Sequence, residues 1–101
     1  MASSKEYLDY VLEQLSLLEG ISYRKMMGEY LLYFQGKLFG GIYDNRFLVK
    51  KIPSAIKLMP ETESVVPYPS AKEMLVVDKI EDKEFLKQLI EKMYPELPDL
   101  K

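Results

Sequence analysis

Cysteine and histidine are both absent from the 101 residues. Without cysteine there is no disulfide, no thiolate nucleophile and no Cys-based zinc or iron–sulfur site. Without histidine the commonest general base and the commonest metal ligand are missing. The five glycines do not assemble into GxGxxG or a phosphate-binding loop, and no serine lies in a GxSxG elbow. Carboxylates do occur close together, at Glu61 and Glu63 and at Glu81 and Asp82. They fall at loop or capping positions, where solvation explains them more simply than acid–base work. No EF-hand-like run of oxygen ligands is present. The expectation is a chain that is not an enzyme and that carries no metal or cofactor. No apolar run approaches the roughly 20 residues needed to cross a bilayer. The opening Met1-Ala2-Ser3-Ser4-Lys5-Glu6 has no apolar core of a signal peptide. A cytoplasmic protein with no membrane partner is expected.

What is present is a core. Apolar residues make up 48% of the chain, enough for a packed globule, and the length accommodates one domain, residues 1–101. Tyr7, Leu8, Val11, Leu12, Leu15 and Leu18 recur at helical spacing, with Lys5, Glu6, Asp9 and Glu13 on the other side. Ser3 or Ser4 is the expected N-cap, Ser3 having capping-box spacing to Glu6, and Gly20 is the expected stop.

Three strands then follow as a meander. Residues 29–35 are aromatic and apolar and end at Gly36-Lys37. Residues 37–43 contain Gly40-Gly41, a sign of a bulge or a close backbone approach. Asp44-Asn45 suits a two-residue hairpin, after which residues 46–51 put Phe47 and Val49 on one face and Leu48 and Lys50 on the other. Pro53 opens a short helix that Pro60 ends. Residues 67–70 form a stiff turn, residues 73–77 a strand, and residues 64–68 a weaker one beside it. A last helix, capped by Asp78 with Glu81 or by Asp82, buries Phe85, Leu86, Leu89, Ile90 and Met93 and closes at Pro95. The order α-β-β-β-α-β-β-α predicts an α+β, two-layer fold with helices packed on an antiparallel sheet.

Charge is distributed unevenly although the net value is only −2. Residues 1–19 carry −3, residues 20–59 carry +5, and the remainder carries −4. The basic middle reads either as a binding face or as a solvated surface attracted to acidic ends. Its Arg24, Lys25, Lys37, Arg46, Lys50 and Lys51 interleave with Tyr30, Tyr33, Phe34, Phe39, Tyr43 and Phe47, a pattern that could stack bases and neutralise phosphates. The same aromatics equally fill a core or a protein interface. Met26, Met27 and Met59 offer an adaptable contact surface or fill gaps. The candidate partner-binding set is Arg24, Lys25, Tyr33, Lys37, Arg46, Lys50 and Lys51.

Residues 24–39, with Ile42-Tyr-Asp-Asn-Arg-Phe-Leu-Val-Lys50, resemble the core of the TfoX N-terminal family of competence regulators. The matching positions are Arg24, Met26, Gly28, Tyr33, Gly36, Lys37, Phe39, Asp44, Leu48 and Lys50, and the likeness covers nearly the whole chain. Met27, Leu31 and Gly40 depart from the usual residues as changes of packing. Members that give the family its name carry a second, helical C-terminal domain, so this chain is expected to be a standalone N-terminal-like domain. The resemblance implies a fold similar to type III secretion chaperones and a regulator of competence acting through protein partners. The expectation is therefore a protein-interaction module, with a protein partner that could be a second copy. Nucleic-acid binding through the basic central hairpins is the alternative.

Overall fold

The computed structural model describes residues 3–98. Helix α1 (Lys5–Gln14) begins at Ser4, whose hydroxyl accepts the Tyr7 backbone N–H at 3.1 Å and so satisfies a first-turn donor. The Ser3–Glu6 capping box is not used. The Ser3 hydroxyl instead donates to Glu29 Oε1 at 2.5 Å and accepts the Asn45 N–H at 3.0 Å. Its backbone N–H donates to the Gly28 carbonyl at 3.0 Å. These contacts pin the segment before α1 to two hairpin tips. Gly20, expected to cap the helix, lies six residues past its end. With φ +93° it turns the chain into the sheet, and its carbonyl accepts the Gln35 N–H at 2.8 Å.

The expected meander is present as β2 (Glu29–Phe34), β3 (Lys37–Tyr43) and β4 (Arg46–Lys50), and a further strand, β1 (Ile21–Met26), precedes it. Each of the three hairpins has a two-residue loop with both φ values positive: Met27 and Gly28 at +54° and +84°, Gln35 and Gly36 at +50° and +85°, Asp44 and Asn45 at +54° and +54°. This is the backbone twist that matches antiparallel strands. Glycine, aspartate and asparagine adopt it readily. Met27 does so against a steric penalty.

At the centre of β3 the register against β2 shifts, Leu32 facing Gly40 and Tyr33 facing Leu38, which leaves Phe39 as the bulged residue. The two glycines there are required by space. A Cβ on Gly40 would sit 2.2 Å from the Leu48 carbonyl oxygen and 2.9 Å from Val49 Cα. One on Gly41 would meet the Tyr30 carbonyl oxygen at 2.6 Å and the Tyr43 ring at 2.8 Å.

After α2 (Pro53–Leu58) come two short strands, β5 (Ser64–Val65) and β6 (Met74–Val76). All pairings are antiparallel and the sheet order is β1-β2-β3-β4-β6-β5. Helix α3 (Lys83–Met93) is capped by Asp82, whose carboxylate accepts the Phe85 N–H at 3.0 Å, and runs into a 3₁₀ turn over Tyr94–Glu96 that contains Pro95. One cluster joins Leu8, Val11 and Leu15 of the first helical segment to Leu86, Leu89, Ile90 and Met93 of α3, over Tyr30, Leu32, Phe34, Phe39, Phe47 and Val49 of the sheet. Phe39 and Phe47 meet edge to face with centroids 6.5 Å apart. Burial of each such side chain contributes about 1.5–3 kcal/mol. The helices thus cover one face of an antiparallel sheet, the expected two-layer α+β arrangement.

Two substitutions test this account by urea denaturation. Gly40→Ala should lower stability by about 3 kcal/mol, because backbone atoms of β4 cannot yield to the new Cβ. Met27→Asn should raise it by about 1 kcal/mol by relieving the positive φ.

Candidate functional site: the open face and the free edge

Alternation along the strands sends every second side chain away from the helices. Tyr33, Leu38, Tyr43, Arg46, Leu48 and Lys50 therefore share the opposite face of β2–β4, as the pairs Tyr33 with Leu38 and Tyr43 with Arg46 require. Leu48 and Tyr43 are buried yet stand outside the helix-side cluster. Against Tyr43 lies the segment between β5 and β6. Its Tyr68 ring lies 6.1 Å from that of Tyr43, the two planes inclined at 44°, and it turns back at Ser70, φ +76°. The Tyr43 ring folds over the empty position of Gly41.

Between this segment and the sheet lies a groove of about 770 Å³, lined chiefly by Leu38, Tyr43, Lys50, Tyr68, Lys72 and Met74. Burial pushes the Tyr43 phenol above its usual pKa, with lesser contributions from Tyr68, Glu29 and Tyr33. Burial also holds Lys50 below the usual lysine range, and the like charge of Lys72 adds to the effect.

The seven sequence-nominated residues do not form one cluster. Arg24, Tyr33, Arg46 and Lys50 face away from the helices. Lys25 and Lys37 lie on the helix side by register with Tyr30 and Phe34. Lys37 sits 4.3 Å over the Tyr94 ring, a cation–π contact. Lys51 follows β4 and pairs with Glu73 at 2.9 Å, an exposed pair of little energetic weight. Arg46 Nε is buried with no hydrogen-bond partner among the described residues. Four of the six aromatics considered for base stacking, Tyr30, Phe34, Phe39 and Phe47, belong to the helix-side core, as does Met59.

Of the two edge strands, β1 and the two-residue β5, β1 is the long one. Its residues are exposed from Ser22 to Met26, and among the described residues only β2 pairs with it. Tyr23 is 45% exposed, Met26 41% and Met27, at the hairpin tip, 95%. Arg24 and Lys25 make no ion pair with a described residue.

Residues 13–96 match the TfoX N-terminal domain, a span that takes in every strand, α3 and all of the groove's lining but Pro98. The chain belongs to the TfoX N-terminal domain family. An uncharacterised 12.7 kDa protein in the trpE 5′ region of Spirochaeta aurantia is 32% identical over 80 residues, which cover 79% of this chain and 70% of that protein. No solved structure matches. No helix among the described residues is long and apolar enough to cross a membrane.

Tyr68 and Lys72, which help to wall the groove, escaped the sequence reading. The Pro67-Tyr-Pro spacing marks a stiff turn but carries no sign that the turn folds back onto β3. The charge coupling in the groove has a measurable consequence. The rate of Lys50 acetylation by acetic anhydride should rise with pH at a midpoint below the ordinary lysine value. Lys72→Met removes the like charge and should move that midpoint upward. Peptide-resolved mass spectrometry reads both, and a midpoint indifferent to Lys72 would contradict the coupling.

Proposed function

We propose that this chain is a non-enzymatic, cytoplasmic regulatory module that works by binding another protein, which adds an extended acidic segment to the free edge of β1. The observation that carries the reading is that edge: a six-residue strand paired on one side only among the described residues, with exposed Tyr23 and Met26 on it and Met27 at its tip, and with Arg24 and Lys25, which have no ion-pair partner among the described residues. An open strand edge is a template for a further strand. Soluble proteins commonly blunt such edges with a bulge or a cover, and among the described residues the only blunting here is charge. Charge repels a strand of like sign and admits one of opposite sign.

The hairpin tip supports the same reading. Met27 holds a left-handed backbone conformation with almost its whole side chain in water, a choice that lowers stability and buries nothing. Strained residues persist where they have work to do, and an exposed methionine is an adaptable contact. A second copy of the chain pairing edge to edge would bring four cations onto one short ladder, so a different, acidic partner fits better. Membership of the TfoX N-terminal domain family supports a regulatory setting, with competence or transcription as its field.

The test is capture from nuclease-treated native lysate by the tagged protein and by its Arg24→Glu/Lys25→Glu variant, followed by cross-linking. Both positions are exposed, so the variant's stability should stay within about 0.5 kcal/mol of the parent. The expected result is a defined protein held by the parent, lost from the variant and cross-linked to β1 through an acidic stretch. The same protein held equally by both would rule out the edge. Recovery of nucleic acid alone from a parallel capture without nuclease, with affinity falling steeply as salt rises, would favour nucleic-acid binding by the basic residues instead.

A further inference from the structure

We propose that the groove between the open face of the sheet and the segment joining β5 to β6 binds a small organic anion, a phosphate or carboxylate carried on a planar aromatic body. The site is distinct from the β1 edge, which lies beyond β2 on the far side of β3, and the two proposals stand or fall separately.

Size is the first argument. About 770 Å³ lies within the roughly 300–1,000 Å³ typical of small-molecule sites. Shape is the second. The tilted rings of Tyr43 and Tyr68 form one wall, and the side chains of Leu38 and Met74 supply apolar surface. Such a lining suits a flat apolar body, which buries area against the rings.

Charge decides the rest. Three lysines border the groove, and only Lys51 is compensated, by Glu73. Lys50 and Lys72 have no ion-pair partner among the described residues. They lie close enough that the charge of Lys72 depresses the Lys50 pKa. Two like charges set beside an apolar wall are unfavourable when the groove is empty, and a single anion between them removes the repulsion. The ligand class follows: a flat body for the rings and one anionic group for the two ammonium groups.

The probe is phenyl phosphate, titrated into the full chain and followed by residue-resolved NMR, with inorganic phosphate and phenol titrated separately. The proposal expects shifts at Tyr43, Lys50, Tyr68, Lys72 and Met74, and phenyl phosphate binding at least about tenfold tighter than either fragment. Lys72→Met should weaken phenyl phosphate about tenfold, the loss of one charged hydrogen bond. Lys72 is exposed, so folding is not at risk, and Lys50→Met provides the second variant. Inorganic phosphate binding as well as phenyl phosphate would reduce the site to a bare cation pair. Phenol binding as well would reduce it to an aromatic crevice. Either result, a response unchanged in both variants, or shifts elsewhere in the chain would overturn the proposal.

Discussion

The close approach of backbones at Gly40 and Gly41 is the constraint on which both sides of this domain depend. β3 is the hub of the sheet, paired with β2 on one side and β4 on the other. Gly40 allows β4 to lie where any side chain would strike the Leu48 carbonyl, and this holds Phe47 and Val49 in register beneath the helices. Gly41 leaves a space on the opposite face that the Tyr43 ring occupies. Tyr43 in turn supports Tyr68 and the segment that roofs the groove. One dipeptide therefore sets the packing of the core below and the shape of the candidate site above.

Much of this fold was legible because its determinants are local. The periodicity of α1 and α3, the hairpin chemistry of Asp44-Asn45, and the opposed faces of Phe47 and Leu48 all appear as read. Gly40-Gly41 reads as a bulge or a close backbone approach, and the structure has both there. β1 was not legible for a physical reason. An edge strand buries almost nothing, so the alternation of Ile21-Ser22-Tyr23-Arg24 breaks off at Lys25-Met26, and its turn uses Met27 where asparagine or glycine would announce a hairpin. Gly20 misled in the other direction: its positive φ serves the entry to β1, while α1 ends earlier at Gln14.

The candidate site was legible only in part. Sequence spacing gathers the basic residues into one central stretch, but strand alternation then parts them between two faces, and Lys37 and Lys51 engage Tyr94 and Glu73. Lys72 and Tyr68 reach the groove from a segment some twenty residues further along the chain, a tertiary contact that no local pattern records. The aromatic residues divide in the same way. Most serve the core, and the few on the open face owe their positions to the pleat. The surfaces the helices leave uncovered are an edge that bears Arg24 and Lys25, and a groove in which Lys50 and Lys72 have no ion-pair partner among the described residues.

The most direct test of the account is residue-resolved hydrogen exchange in the free protein. If the β1 edge is open, the β1 amides that point away from β2 exchange rapidly, while their alternate neighbours and the amides of β3 and β4 are protected. Uniform protection along residues 21–26, equal to that of β3, would mean that the edge is already occupied in solution and would contradict the central claim.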